Sequence, residues 1–344
     1  MIIKTGEPKK MAHFVSIIVP VKNELKYIIE CVNSLLNVDY PKNSYEIIVV
    51  LDKNATAEVE RALSTFRGRI KVVRSKRSGS AANRNLGVMK ADKRAAYFAF
   101  TDADCIVSKN WLGSLVHRIN NSSKDIGCVG GLNLVPESDN QFAKLIGAIE
   151  QTLLGGGGSA QSAVTKRMRI VQSIPNCNAL YRKELWIKNK QDENLIIGQD
   201  GEFNYRLGKQ GNKFLIIPNA VVWHHRTNSI RKHVRRMYKY GEAAARVFKL
   251  HPGILKARWY ASLSLFGMAL VIILFVISFS SILALYLLEG LVIAYLAMLL
   301  LTTLQVIVKL KKPIAIFTPF ILALQHLFYN IGFMAGLVEM ETRK

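Results

Sequence analysis

Two short acidic clusters hold the residues best suited to chemistry: Asp102-Ala103-Asp104 closing a β-rich run, and Gln199-Asp200-Gly201-Glu202 further along the chain. Carboxylates two apart in extended chain project to the same side, so Asp102 and Asp104 can both offer hard oxygen ligands to one Mg²⁺ or Mn²⁺. A cation held there suits a nucleotide diphosphate. A carboxylate at a helix start, such as Asp200, can take a proton from an attacking hydroxyl. If a helix begins near it, Asp200 and Glu202 point about 200° apart and only one can face a reacting centre. An acid complementing the helix dipole is the plainer role for either, and accounts in full for Glu202.

Such clusters need a frame that brings them to one edge. Short β-rich runs at 14–19, 45–51, 69–74, 97–101 and 126–131 alternate with amphipathic segments at 24–37, 55–67, 80–91 and 108–120. That alternation predicts an α/β fold with a parallel, doubly wound sheet. Ligands bind beyond the C-terminal strand ends of such sheets, where Pro20, Asp52, Gly79 and Asp102 all fall. Pro20 lacks an amide donor, so the chain is expected to leave the sheet at Val19-Pro20 and open a pocket. Asp52 either accepts from a base N–H or N-caps the helix after it. Lys76 and Arg77 precede Gly79, and a helix from about Ser80 places Arg84 one turn in. This arrangement can hold diphosphate oxygens, or Arg84 can simply pair with a carboxylate of its own domain.

Taken together, Ser16-Ile17-Ile18-Val19-Pro20-Val21-Lys22-Asn23-Glu24, then Asp52, then Gly79-Ser80-Ala81-Ala82-Asn83-Arg84-Asn85-Leu86-Gly87, then Asp-Ala-Asp and Gln-Asp-Gly-Glu resemble the family 2 inverting glycosyltransferases of the GT-A fold, over residues 14–225. With apolar helices following, the plan is similar to cellulose-synthase-like and ExoA-like membrane members and to dolichol-phosphate mannose synthases. The resemblance implies a nucleotide-sugar donor bound by Pro20, Val21, Asn23, Glu24, Asp52, Gly79, Arg84, Asp102, Ala103 and Asp104. It implies Mn²⁺ or Mg²⁺ on Asp104, with Asp102 touching ribose or reaching the metal through water, and Asp200 as general base. Leu51-Asp52-Lys53-Asn54-Ala55-Thr56 departs from the usual Asp-Gly-Ser-Thr-Asp, which leaves the nucleotide open, UDP or GDP. Gln199 replaces the usual Glu. His224 and His225, after a strand at 220–222, are phosphate or metal contacts or structural histidines. Arg235 and Arg236, candidate phosphate or metal contacts like the two histidines, stand where cellulose-synthase relatives carry Gln-x-x-Arg-Trp, and Met237 in place of Trp argues against a processive polymerase.

The last third is apolar. Residues 259–308 carry one formal charge, Glu289, and 313–338 carry none. A span takes roughly 20 apolar residues, so the first run is expected to give two transmembrane helices and the second a third. Turn chemistry at 278–281 and at Glu289-Gly290 leaves the hairpin position open, equal division placing it near residue 284. Lys256, Arg258, Lys309, Lys311 and Lys312 flank the spans, so the positive-inside rule predicts a multi-pass cell-membrane protein with a cytoplasmic catalytic domain and an outer C-terminal tail. The polar N-terminus predicts no signal peptide.

Net charge is +23, and residues 226–258 hold ten basic residues against one acid, Glu242. Cations beside a membrane span are drawn to anionic lipid by about 1 kcal/mol each, so lipid rather than nucleic acid is the expected partner. Within 229–250, Ile230, Val234, Met237, Tyr238 and Phe248 share one side, which predicts an interfacial helix. Phe142, Leu145, Ile146, Ile149 and Leu153 give 140–154 helical spacing, for packing on its own domain or lying on the membrane, and the glycines at 155–158 suggest a hinge. Cys31, Cys105, Cys128 and Cys177 have no paired spacing, which predicts reduced thiols; Cys177 either lines a site or is a small buried hydrophobe. The expected organisation is a tail (1–13), a GT-A domain (14–225), a basic juxtamembrane segment (226–258), transmembrane helices (259–338) and a tail (339–344). The expected activity is transfer of one sugar to a hydroxyl of a lipid-linked acceptor, with no obligate protein partner. The alternatives are a polyisoprenyl-phosphate sugar synthase, whose acceptor is a phosphate, and a non-catalytic scaffold or nucleic-acid-binding protein.

Overall fold

The computed structural model describes residues 12–157, 166–254 and 259–339. Expectations for the N-terminal tail, Gly158, Lys256, Arg258 and residues 340–344 fall outside these. Nine strands form one sheet: β1 (Val15–Val21), β2 (Tyr45–Leu51), β3 (Lys71–Arg74), β4 (Tyr97–Phe100), β5 (Cys105–Val107), β6 (Ile126–Leu134), β7 (Arg169–Val171), β8 (Ala179–Arg182) and β9 (Lys213–His224). Their order is β3-β2-β1-β4-β8-β6-β9-β5, with β7 also on β9.

Side chains alternate across β1 and β2, and both faces are buried. Ile17, Val19, Ile47 and Val49 face α1 (Leu25–Leu36) and α4 (Trp111–Asn120), whereas Ile18, Ile48 and Val50 share a core with Trp186, Phe203 and Leu207. Strands buried on both faces read as continuous apolar runs, as these do. The parallel expectation holds for β3, β2, β1 and β4. Beyond them it holds only for β6 with β9; β8 runs antiparallel to both β4 and β6, and β5 and β7 run antiparallel to β9. The βα alternation that predicts parallel pairing stops at α4, because β6 and β8 are joined through α5 (Gln141–Glu150), α6 (Leu153–Gly156) and β7 rather than by one crossover helix.

Pro20 does not end β1, which continues to Val21 alongside β2 with Pro20 opposite Val50. Alternate residues of a parallel strand turn their N–H and C=O to opposite neighbours. Asp52 N donates to Val21 O (2.8 Å), and Thr101 N to Ile18 O (3.4 Å), so even-numbered residues face β4. The last pair on that side is Ile18 with Phe100. Pro20 therefore lacks its N–H where no strand remains to accept it, and the opening lies between β1 and β4.

Among the described residues, three α-helices follow α9 (Ile230–Leu250): α10 (Trp259–Ser278), α11 (Ile282–Leu310) and α12 (Thr318–Glu339). Among the described residues two segments, Ile282–Leu310 and Pro313–Val338, are long and apolar enough to cross a membrane, fewer than the three expected; a shorter apolar stretch, Phe266–Ser278, precedes them. The break lies at 279–281, where Ser281 N-caps α11, not near 284, and Glu289-Gly290 is inside the helix.

α9 is not a free interfacial helix. A Cβ on Gly241 would fall 1.9 Å from the Tyr329 carbonyl oxygen, and one on Gly332 would fall 2.0 Å from that of Tyr238, so α9 and α12 meet backbone to backbone. α5 packs neither on the sheet nor on open lipid: Leu145, Ile146 and Ile149 are buried with Leu299, Val306, Ile321 and Leu322 of α11 and α12. The described glycines after it are fixed rather than hinged. Gly155 accepts from Gln325 Nε2 (2.7 Å), and Gly157 has φ +59°, a left-handed helix end that glycine adopts without a Cβ clash.

Candidate active site

α2 (Ala57–Ser64) and α3 (Ser80–Met89) follow β2 and β3, and α3 is the hub of the site. Asp52 is buried and accepts from Asn54 N (2.9 Å), Ser78 Oγ (2.9 Å), Gly79 N (2.8 Å) and Asn83 Nδ2 (3.1 Å). A carboxylate has about four acceptor sites, and these donors fill them. Burial opposes its ionisation, but the bonds from Asn54, Gly79, Ser78 and Asn83 outweigh it and its pKa is lowered. Asp52 is thus neither the N-cap of α2, a place taken by Thr56, nor open to a base N–H without displacing a protein donor. It fixes the turn at Gly79, whose φ of +112° favours glycine.

One turn into α3, Arg84 donates through Nη2 to Asp102 Oδ1 (2.6 Å). Its guanidinium is buried, and Nε and Nη1 have no protein partner. Asp102 and Asp104 occupy the turn between β4 and β5 rather than extended chain; both stay partly exposed while Ala103 between them is buried. The turn backbone is held at its end by His225 N donating to Asp104 O (3.1 Å), where β9 runs past it.

His224 Nε2 lies 3.4 Å from Asp104 Oδ1, and Arg226 Nη1 donates to His224 Nδ1 (2.8 Å). Arg226 also pairs with Glu150 at the end of α5 (2.9 Å). Burial resists ionisation of Asp104, but His224 and then Arg236 bring its pKa down to about 2. For His224, burial disfavours the charge while Asp104 favours it, and the balance rises to about 10. Two N–H groups facing at 2.8 Å would repel, however, so the Arg226 contact fits a ring with one proton, on Nε2, directed at Asp104.

α8 (Gln199–Lys209) starts after Gly198, at φ +82°. Its first residue anchors it, because Gln199 Nε2 donates to Ser80 Oγ (2.6 Å) and so sets Asp200 beside the N-terminus of α3. Asp200 is half-buried, with Oδ1 accepting from Gly201 N (2.7 Å). Glu202 does more than complement a dipole. It is buried, accepts from Arg206 Nε (2.6 Å) and lies 2.9 Å from His251 Nε2 at the end of α9.

Asp52, Gly79, Arg84, Asp102, Asp104 and His224 are brought together, with Pro20 and Val21 at the adjacent strand end. Glu24 folds back to accept from Lys22 N (2.8 Å) and Asn23 N (2.9 Å), which shapes the loop after β1 and leaves Asn23 exposed. His225 is directed elsewhere: it bonds Asp139 and stacks on Tyr27 with ring centroids 4.2 Å apart. Arg235 is exposed, whereas Arg236 donates to Tyr240 (2.7 Å). Sequence reasoning missed Glu150, Asp139 and the role of Arg226. Arg226 could have been found as the second polar residue after β9; Glu150 lies on a helix whose spacing signals only packing. An open surface depression of about 810 Å³, bounded by Asn110, His117 and Asn219 among others, does not include the acidic pair.

A carboxylate oxygen and an imidazole nitrogen from Asp104 and His224, with ligand atoms within 4.8 Å, fit a divalent cation such as Mn²⁺. Residues 16–186 match the Glycosyl transferase family 2 profile. The chain is 27% identical over 337 residues (95% of this chain, 98% of the relative) to a dolichyl N-acetyl-alpha-D-glucosaminyl phosphate 3-beta-D-2,3-diacetamido-2,3-dideoxy-beta-D-glucuronosyltransferase of Methanococcus voltae. It is 27% identical over 248 residues (69% and 75%) to the glycosyltransferase AglE of Haloferax volcanii. Among solved structures, the mannosyltransferase PcManGT of Pyrobaculum calidifontis, in complex with GDP-Man and Mn²⁺, aligns at TM-score 0.59 and 15% identity over 94% of this chain and 88% of that one, a likeness of fold. Residues 16–186 are a glycosyl transferase family 2 domain.

Proposed function

We propose that the protein is a membrane-embedded, metal-dependent, inverting glycosyltransferase that moves one sugar from a nucleotide-sugar donor to a hydroxyl of a lipid-phosphate-linked acceptor. The carrying observation is the convergence on α3: Asp52 holds its N-terminal turn, Arg84 pairs with Asp102, and Ser80 accepts from Gln199 beside Asp200. The N-terminal amides of α3 and the unpartnered Nε and Nη1 of Arg84 suit the donor diphosphate. Asp104 and His224 would hold Mn²⁺ or Mg²⁺, with Asp102 beside them. When bound, that ion supplies charge neutralisation for the departing diphosphate. Asp200 takes the proton of the acceptor hydroxyl as it attacks the anomeric carbon from the side opposite the leaving group.

The acceptor side rests on the apolar helices and on the relative. α10, α11 and α12 carry exposed Phe275, Ile293, Leu300, Val308, Phe320 and Val338, a surface that suits lipid. We read all three as spans, with the domain on the cytoplasmic face, where Lys309, Lys311 and Lys312 cluster. The Methanococcus voltae relative is named for a dolichyl-phosphate-linked sugar as acceptor and for transfer at its 3-position, which favours a hydroxyl nucleophile over a phosphate.

Asp200→Asn is the test. A hydroxyl acceptor needs a base, so transfer should fall by about 10²–10⁴-fold with donor affinity unchanged. Near-normal turnover would mean an acceptor already ionised, as in a polyisoprenyl-phosphate sugar synthase. Loss of donor binding as well would show that Asp200 holds the donor.

A further inference from the structure

The proposed transfer makes no use of sulfur, yet three of the four cysteines surround the acidic pair. Cys31 Sγ donates to Asp102 O (3.4 Å), Cys105 follows Asp104 directly, and Cys177 lies against both the Cys105 thiol and the His224 ring. Cys105 is fully buried, Cys177 nearly so, and both are free thiols. Cys128 is the contrast: it sits in the opposite core layer among Tyr181, Trp186 and Phe214. One ligand atom from each of Asp104, Cys105 and His224 lies within 4.8 Å of the others. Tetrahedral bonds of about 2.0–2.3 Å to N, O and S place ligand atoms about 3.5 Å apart, so modest side-chain rotation closes this set of three, and Cys177, outside it but beside Cys105 and His224, turns in as the fourth. Asn133 Nδ2 donates to Cys177 Sγ (3.3 Å), an outer hydrogen bond of the kind that orients a metal-bound thiolate.

We propose that Asp104, Cys105, Cys177 and His224 form a seat for a soft divalent cation, Zn²⁺ or Cd²⁺, overlapping the hard-cation seat at Asp104 and His224. Thiolates select soft ions where carboxylates alone select Mg²⁺ and Mn²⁺, so one location offers two ligand sets. On binding, each thiol releases a proton to solvent and forms one metal–sulfur bond. The His224 ring proton passes from Nε2 to Nδ1, which opens the Arg226 contact and leaves that guanidinium paired with Glu150. Zn²⁺ then inhibits by occupying Asp104 and His224, not by binding elsewhere.

The test uses the full chain in detergent with Cd²⁺ as probe and no sugar donor, read by the ultraviolet charge-transfer band of a cadmium–thiolate bond. The wild type should develop the band and saturate at one ion per chain. Cys105→Ser and Cys177→Ser should each weaken binding by about tenfold or more, while Cys31→Ser and Cys128→Ser keep it. In wild-type protein, which avoids any folding defect, excess Mn²⁺ should raise the Cd²⁺ concentration needed for half-saturation. No band in the wild type, a band that survives loss of both Cys105 and Cys177, or indifference to Mn²⁺ would overturn the proposal. The band requires no turnover, so a chain that transferred no sugar would still decide the question.

Discussion

Asp52 and Asp104 stand beyond β2 and β4, the two strands that flank β1, at the same edge of the sheet, and both have lowered pKa values, for opposite reasons. Asp52 is surrounded by neutral donors that fill its lone pairs, and it is almost wholly buried. Asp104 keeps about a third of its side chain exposed (32%) and is held by charged or ring groups, His224 and Arg236. A carboxylate saturated by its own fold is architecture; one stabilised by charge at a distance keeps oxygens available for a ligand. Position at a ligand-binding edge therefore does not by itself distinguish the two roles.

The contrast can be tested to destruction. Asp104→Asn should cost the most in rate, about 10³-fold in transfer, with a loss of thermal stability limited to what its ionised form contributes; initial rates beside a melting curve would show it. Asp52→Asn should reverse the balance. It replaces an acceptor by a donor facing Gly79 N and Asn83 Nδ2, so stability should drop by about 1–3 kcal/mol, read by thermal unfolding, with a smaller loss of activity through weaker donor binding. Equal stability losses for the two variants would dissolve the distinction. The smallest effect is in acid. Asp104, lowered from 3.8 to about 2, contributes stability that is whole above pH 4 and is lost as pH falls towards 2, because the unfolded chain takes up the proton first. An acid titration of the folded state should show that limb in the wild type and find it shallower in Asp104→Asn.

Much of the donor side was legible because it is local. The strand at 45–51, the helix starting at Ser80 and the acidic pair each announce themselves through neighbours in sequence. What was not legible depends on pairs distant in sequence. The fullness of Asp52 needs Ser78 and Asn83, the ion chain behind Asp104 needs Glu150, and the anchor of Asp200 needs Ser80. Pro20 misled for a related reason, since whether its missing N–H matters depends on where β4 stops. The amphipathic pattern of 229–250 correctly gave a helix, but not whether lipid or another helix covers it, because both present an apolar partner.

The backbone-to-backbone contact of α9 with α12 at Gly241 and Gly332 has a geometric consequence. α9 also docks on the segment leading to Asp200, through Val247 with Leu195 and through His251 with Glu202. Under the proposed function, that contact makes the protein, rather than a tether, set the distance from the bilayer to the reacting carbon. Such an enzyme measures its substrate: a hydroxyl on the first sugar above a lipid phosphate and one on the second stand at different altitudes, and only one of them meets the base.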